Sequence, residues 1–424
     1  MLKASSLFYA IAMALIIALV SSSLILFAYF NRLQISSCLQ TEKVQRNAGS
    51  GLNLLMSDQE IVRLNEKRIL DLYETGNDSV TLEKKSWGLF EIDISTAFSS
   101  DKRNTQIVQV GSTLNSNQTA LYLADQDKPL SLCGNTLIKG NCFLPKAGVK
   151  RAYIEGQSFS GDKLIDGIIK DSEREIPKIN KELLERIGKT FMQEAVASST
   201  EEKKGISTEE QQEKDTLTNS FEKNTMYIIS NNPVRLDNKC YRGNITVISK
   251  KSIKVSATAN LQDIILYAPQ IEIEENFTGN IQAFATDTII LSKKCKLIYP
   301  SVIGLICNSK LPGNPLLIVK EDAEITGTVF AAQEDLSDLG KQVKVIIEKS
   351  AKVTGQVYTN GLLDLKGIVY GNIMCNRFIL STPSSMYENH LLNATIDNSK
   401  LSVHYVGIQL TEKIAAKKIA KWLY

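Results

Sequence analysis

Histidine and tryptophan are nearly absent from this chain of 424 residues, at two each, and proline is scarce at nine. His390 and His404 have no cysteine or histidine partner at ligand spacing, so a histidine-built metal site is not expected. No Cys-x-x-Cys occurs among the seven cysteines, which removes the common zinc and redox spacings. There is no P-loop, no Gly-x-Ser-x-Gly, no His-Glu-x-x-His and no Asp-x-Asp-x-Asp-Gly loop, so the usual nucleotide, hydrolase, metalloprotease and calcium signatures are missing. A basic excess is missing too: 49 Lys and Arg stand against 46 Asp and Glu, which argues against nucleic-acid binding. On these grounds no catalytic, cofactor-binding or metal-binding residue is expected, no cofactor is expected, and the chain does not read as an enzyme.

What is present is a recurring short pattern: an apolar residue, a spacer, Gly, a small or amide residue, then Val or Ile. It centres on Gly243, Gly279, Gly327, Gly355 and Gly371, and earlier on Gly140 and Gly156. The two apolar positions beyond each turn share one strand face, and Gly sits where the chain bends without a Cβ. A shift of 18 residues aligns Ile253, Ile271 and Ile289, and Val255 with Ile273 and Leu291. A shift of 28 aligns Leu317-Ile318-Val319 with Val345-Ile346-Ile347 and Phe330 with Tyr358, with extra polar residues in Gln333–Gln342. Such self-similarity predicts a parallel β-helix, or β-solenoid, in which stacked turns bury one apolar column. An antiparallel sandwich is the rival, since its strands also alternate.

The turns over roughly residues 244–380 resemble those of the bactofilins, the bacterial polymer-forming β-helix family. That resemblance implies a structural role, self-association or protein partners, and a place at the bacterial cell envelope.

Leu7–Phe30 carries no charge over 24 residues. At 1.5 Å per residue it crosses a ~30 Å hydrocarbon core, which predicts a single-pass anchor in the lipid bilayer rather than the shorter apolar core of a signal peptide. Tyr9, Phe27, Tyr29 and Phe30 near its ends fit the aromatic belts of a membrane helix. The short N-terminus favours a cytoplasmic amino end with the large domain outside. Lys3-Ala4-Ser5-Ser6-Leu7, followed by an apolar helix that runs into an amphipathic stretch, also resembles the N-terminus of type IV pilin-like proteins. This implies a minor pilin-like subunit of a pilus or secretion machine.

The expected organisation is mainly β. An anchor over 1–32 leads into juxtamembrane helices over 33–77, including one over Asp58–Tyr73. A β-rich region over 78–161 contains a hairpin from Gly88–Thr96 and Thr105–Val110, and can hold the first solenoid turns. An insertion over 162–223 is helical from Lys178 to Val196, then polar and disordered over Ser198–Asp215. The solenoid proper spans 224–382. A cap and basic tail fill 383–424, with Met386–Ile396 covering the last turn and Glu412–Tyr424 read as a basic amphipathic helix.

Two chemical features remain. Cys133 and Cys142 flank a turn, and their spacing allows a disulfide in an oxidising space, while Cys295, Cys307 and Cys375 read as small buried apolar groups. Asp263, Glu272, Glu274, Asp287 and Asp322 could form a carboxylate row of the kind used by sugar-binding or sugar-cleaving β-helices. Lys293, Lys294 and Lys349 at comparable positions make a solvated mixed-charge face the plainer reading.

Overall fold

A computed structural model describes residues 3–57, 61–72, 76, 78–99, 101–113, 119–188, 215–307, 315–333, 342–411 and 415–423. The chain is mainly β, with one long helix at its N-terminus. The helix is α1 (Lys3–Met56). It is followed by β1 (Lys67–Leu70), β2 (Asp78–Trp87), β3 (Phe90–Ser99) and β4 (Lys102–Thr113). Next come β5 (Thr119–Leu123), β6 (Leu130–Cys133), β7 (Leu137–Lys139), β8 (Asn141–Leu144), β9 (Val149–Arg151), β10 (Tyr153–Ile154), β11 (Gln157–Ser158) and β12 (Ile169–Asp171). The central strands are β13 (Thr216–Asn219), β14 (Met226–Ser230), β15 (Val234–Leu236), β16 (Cys240–Ser249), β17 (Ser252–Val255), β18 (Asn260–Ile273), β19 (Thr278–Leu291) and β20 (Lys296–Cys307). They continue as β21 (Leu316–Val319), β22 (Glu324–Gln333), β23 (Lys344–Ile347), β24 (Lys352–Leu365) and β25 (Ile368–Ser381). The last are β26 (Met386–Glu388), β27 (His390–Leu392), β28 (Thr395–Asp397), β29 (Val406–Gly407) and β30 (Lys417–Trp422).

Two compact units divide the chain. One takes Met1–Lys85 and Asp93–Ile107, the other Ser86–Ile92 and Val108–Leu423. In the first, the C-terminal part of α1 lies on antiparallel strands, with β1 paired to β2 from Lys67 opposite Glu83 to Leu70 opposite Val80. The helix expected over Asp58–Tyr73 is therefore corrected: part of it is strand β1. Arg68 and Leu70 satisfy the β2 edge, and that pairing outweighs weak helical periodicity. The hairpin expected from Gly88–Thr96 and Thr105–Val110 corresponds to β3 and β4, with Gly88 and Leu89 in the turn before β3.

In the second unit the strands are largely parallel, and the hydrogen-bonded neighbours of its main sheet close on themselves. The 18-residue alignment reappears as register: Ile253 opposite Ile271, and Ile271 opposite Ile289. The 28-residue alignment does so too, with Leu317 opposite Val345 and Phe330 opposite Tyr358. One inward column can be followed through eleven strands. It runs Ile228, Val247, Leu266, Ala283, Ile303, Val329, Val357, Ile373, Leu121, Cys142 and Ile169. All but the last are buried, and most belong to one continuous apolar cluster. Burial on this scale, at about 25 cal/mol per Å² of apolar surface, is the main force holding the strands together.

That column shows an order of stacking that the sequence does not. Strand β25 pairs with β5 through Ile373 and Leu121, and β28 pairs with β7 through Ile396 and Ile138. Residues 119–171 thus add to the far end of the ladder, after the last central strand, rather than before the first. Met386–Glu388 does not cover that end: it folds antiparallel onto Ile379–Ser381, at the side. Residues 172–188 run back along the ladder. Tyr358 donates its hydroxyl to the Pro177 carbonyl at 3.2 Å, and the Asn180 N–H donates to Leu410 O at 2.8 Å. Residues 181–188 are helical. The remainder of the expected helix and its polar sequel, 189–214, lies outside the described residues, as does most of the Gln333–Gln342 loop.

Glycine is required where the backbones of neighbouring parallel strands meet most closely. Gly327, Gly355 and Gly371 stand opposite one another at φ of 153°, 141° and 150°. A Cβ on Gly355 would lie 2.0 Å from Gly327 O, and one on Gly371 would lie 1.9 Å from Gly355 O. The following residue seals this approach: Thr328 donates to Gln356 Oε1, and Gln356 exchanges hydrogen bonds with the Ile408 backbone. Gly140 stacks in the same way, with its carbonyl under Gly167. Gly156 does not. It sits with Glu155 in the left-handed turn of the small β10–β11 hairpin, so the motif at Tyr153–Ser158 is not a rung.

The C-terminal tail is also corrected. Lys417–Trp422 is strand β30, antiparallel to β4, with Lys418 opposite Gly111 and Ile419 opposite Val110. A helix could not have satisfied the unpaired edge of β4. The strand does, and it carries Lys417 to Glu91 and Lys421 to Asp263.

Candidate membrane anchor and assembly surface

Helix α1 has 54 residues and is about 80 Å long. Its two halves have different surroundings because their sequences differ. From Leu7 to Phe30 every large apolar side chain is exposed. By length and composition this part is able to cross a membrane, a property shared by anchors and signal sequences. From Val44 onward the pattern changes to a stripe. Val44, Ala48, Leu52 and Leu55 recur every three to four residues and are all buried.

Close approach to the strands is set by Gly51. A Cβ there would meet Ser95 Oγ at 2.3 Å and the Leu82 and Val80 methyl groups at 2.8 Å. Lys43 forms an ion pair with the buried carboxylate of Asp78, fixing the helix where it meets the strands. Gly49 and Gly51 both lie inside this element. The helix runs through both, and Gly51 is there for packing. The signal that could have found this is the small residue at the centre of the stripe.

The predicted carboxylate row is not a row. Asp263 (φ 57°) binds Lys421 through both oxygens, at 2.6 and 2.7 Å. Glu272 and Glu274 share Lys254, at 3.1 and 3.5 Å, and Glu274 also meets Arg235. Asp287 accepts from Gln270, and Asp322 sits exposed in a left-handed turn. Farther along, Lys293 holds Glu321, while Lys296 and Lys352 flank Glu324. Hydrogen bonding to these lysines lowers the Glu321 and Glu324 carboxyls below their ordinary range.

The cysteines are free thiols. Cys142 lies in the main apolar cluster and Cys133 in a separate one with Ile154 and Leu380, so the disulfide allowed by their spacing is not formed. Burial pushes the Cys142 thiol up to about 12 and the Cys295 thiol up to about 11, and it raises Cys307 and Cys375 as well. A thiol held neutral in an apolar core is a packing group.

No family model matches the chain, and no curated protein matches it. The crystal structure of the competence-associated pilin ComZ from Thermus thermophilus is similar over 93% of this chain and 95% of that chain, at 9% identity and a TM-score of 0.22. That level of likeness carries no argument about this molecule.

Proposed function

We propose that the chain is a non-enzymatic, membrane-anchored subunit of a protein assembly at the cell envelope, and that its parallel strands form a β-solenoid serving as a rigid body. The observation that carries this reading is helix α1. A helix needed only as an anchor can end at the bilayer surface. This one continues to Met56 and buries Val44, Ala48, Leu52 and Leu55 against strands, so what happens to the anchor is transmitted to folded protein. The solenoid reading is supported by long strands that change partner along their length: β18 pairs with β16 through its first half and with β17 through its second. The engaged carboxylates at Asp263, Glu272 and Glu274 favour a structural face over a sugar-cleaving or sugar-binding one.

The test is to express the full chain with a C-terminal tag and to compare carbonate-washed membranes, before and after protease treatment of spheroplasts. A tag that stays with membranes and is cut from outside supports the reading, with a cytoplasmic N-terminus and the large domain beyond the membrane. Release of the protein into the wash sinks the anchor.

A second reading, a pilin-type subunit, is favoured by the same apolar-then-amphipathic helix. No Gly precedes the apolar run to direct cleavage, and no Glu follows near the fifth position. Mass spectrometry of the isolated N-terminus decides it. Trimmed and methylated peptides support the pilin reading, and an intact Met1 or Leu2 removes it.

A further inference from the structure

Among the described residues the triplet Asn-x-Ser/Thr occurs at Asn244-Ile245-Thr246, Asn276-Phe277-Thr278 and Asn393-Ala394-Thr395, never with Pro in the middle. In an exported protein this triplet is the acceptor for an N-linked sugar chain, provided it lies on an accessible loop. The structure separates the three. Asn244 and Thr246 are each 2% exposed, and the Asn244 amide donates to Lys223 O at 3.0 Å. The Asn393 amide donates to Gln157 Oε1 at 2.8 Å, and its oxygen accepts from the Asn135 N–H at 2.8 Å. Both of these amides are engaged by the fold. Asn276 and Thr278 are exposed, and among the described residues neither side chain has a hydrogen-bond partner.

The turn that carries Asn276 lies between β18 and β19, at a left-handed φ of 66°. Phe277 is fully buried in the main apolar cluster and pins the turn, which leaves the residues on either side of it facing water. The parallel pairing requires neither of them. Thr278 stands in register with Lys296, Lys296 with Glu324, and Glu324 with Lys352. Two residues before these partners, Lys294, Asp322 and Ser350 hold the same left-handed conformation at φ of 56°, 59° and 63°. The backbone thus accepts several residue types at 276, and the strand accepts charge at 278. Packing accounts for Phe277 and leaves the Asn and the Thr unexplained.

We propose that Asn276 is a site of N-glycosylation. The donor is an oligosaccharide linked to a polyprenyl diphosphate. The Asn276 amide nitrogen bonds to the anomeric carbon of the first sugar, the bond from that carbon to the diphosphate oxygen breaks with its electron pair, and the amide gives up one proton. Thr278 is the hydroxyl that the transferase recognises beside the acceptor. The proposal rests on the reading that places the large domain outside the cytoplasm, and it goes beyond that reading by naming a modified residue.

The test uses the full-length protein extracted from its native membranes, digested and read by tandem mass spectrometry. The peptide holding Asn276 is expected to release sugar fragments, and the peptides holding Asn244 and Asn393 are expected to be bare. Asn276→Gln and Thr278→Ala should each abolish the sugar and increase mobility on a denaturing gel, whereas Thr278→Ser should retain it. Thr278 is exposed, so its substitution tests recognition and not folding. A bare Asn276 in the wild type overturns the proposal, as does a sugar that survives Thr278→Ala. Protease treatment of spheroplasts carrying a C-terminal tag tells the two failures apart: a bare Asn276 with the tag cut leaves the anchored reading standing, and a bare Asn276 with the tag protected removes both.

Discussion

At the residue scale, stability hangs on positions where no side chain fits and where burial keeps acids neutral. Gly355→Ala places a methyl group 2.0 Å from Gly327 O at a φ of 141°, so something must move. We expect a loss of about 3 kcal/mol, read as a lower midpoint in chemical unfolding. The same substitution at Gly156 would meet nothing nearer than the Tyr153 hydroxyl at 4.0 Å, so it should cost less despite its similar motif, the cost coming from a left-handed φ of 79°. The buried acids give a pH prediction. Cys142 rises from 9.0 to about 12, and Tyr241 and Tyr299 rise from 10.0 to about 12. Unfolding frees these groups to lose protons at their ordinary values, so above pH 9 the unfolded state binds fewer protons than the folded one. Stability should be flat with respect to these groups below pH 8 and should fall between pH 9 and 12. Melting temperatures across that range check the sign. A thiol reagent at neutral pH should label exposed Cys38 quickly, and Cys142 and Cys375 only after unfolding.

At the scale of single elements, α1 is a membrane-length apolar segment and a packing helix in one piece. Leu52→Ala should cost about 3 kcal/mol by removing a buried side chain. Gly51→Val should cost more, because Ser95, Leu82 and Val80 all stand in the way. Neither should change partition into detergent, which the first half controls. Strand β30 makes a different prediction. Lys421 holds Asp263, whose side chain is 11% exposed, so Lys421→Ala should speed hydrogen exchange in β30 and in the paired part of β4, with a modest loss of stability. These elements also mark how far the sequence could be read. The 18- and 28-residue repeats named register partners correctly at Ile253–Ile271 and Phe330–Tyr358, because one inward-facing position per strand must stay apolar in every rung. The tail reads as a helix in sequence because Lys417–Trp422 has helical charge spacing, and the edge of β4 decides for strand. Tyr153–Ser158 copies the glycine motif but turns back on itself within two residues, a difference that lies in backbone dihedrals and not in residue types.

At the scale of the molecule, the order in which the strands pair is not their order in the chain, and no periodicity could have revealed it. Leu121 continues a column begun at Ile228, next to Ile373. A photo-crosslinker at Tyr122 should therefore capture a peptide containing Met374, its neighbour across the pair. Capture of residues 226–230 instead would place the early segment at the other end. Ile373→Ala should loosen both the last central strand and residues 119–144 together, seen as joint loss of hydrogen-exchange protection.

This arrangement has a consequence for synthesis. Residues 119–171 leave the ribosome before their acceptor strand exists, by roughly 200 residues, or ~10–40 s at common rates of translation. During that interval Leu121, Leu123, Leu130 and Leu132, all buried in the finished protein, have only the strands of their own segment, β8 and β9, to lie against. Nascent chains of this protein should hence be sticky until the last fifth of the message is read. A holding chaperone would find its site on the early strands and lose it once Ile373 arrives.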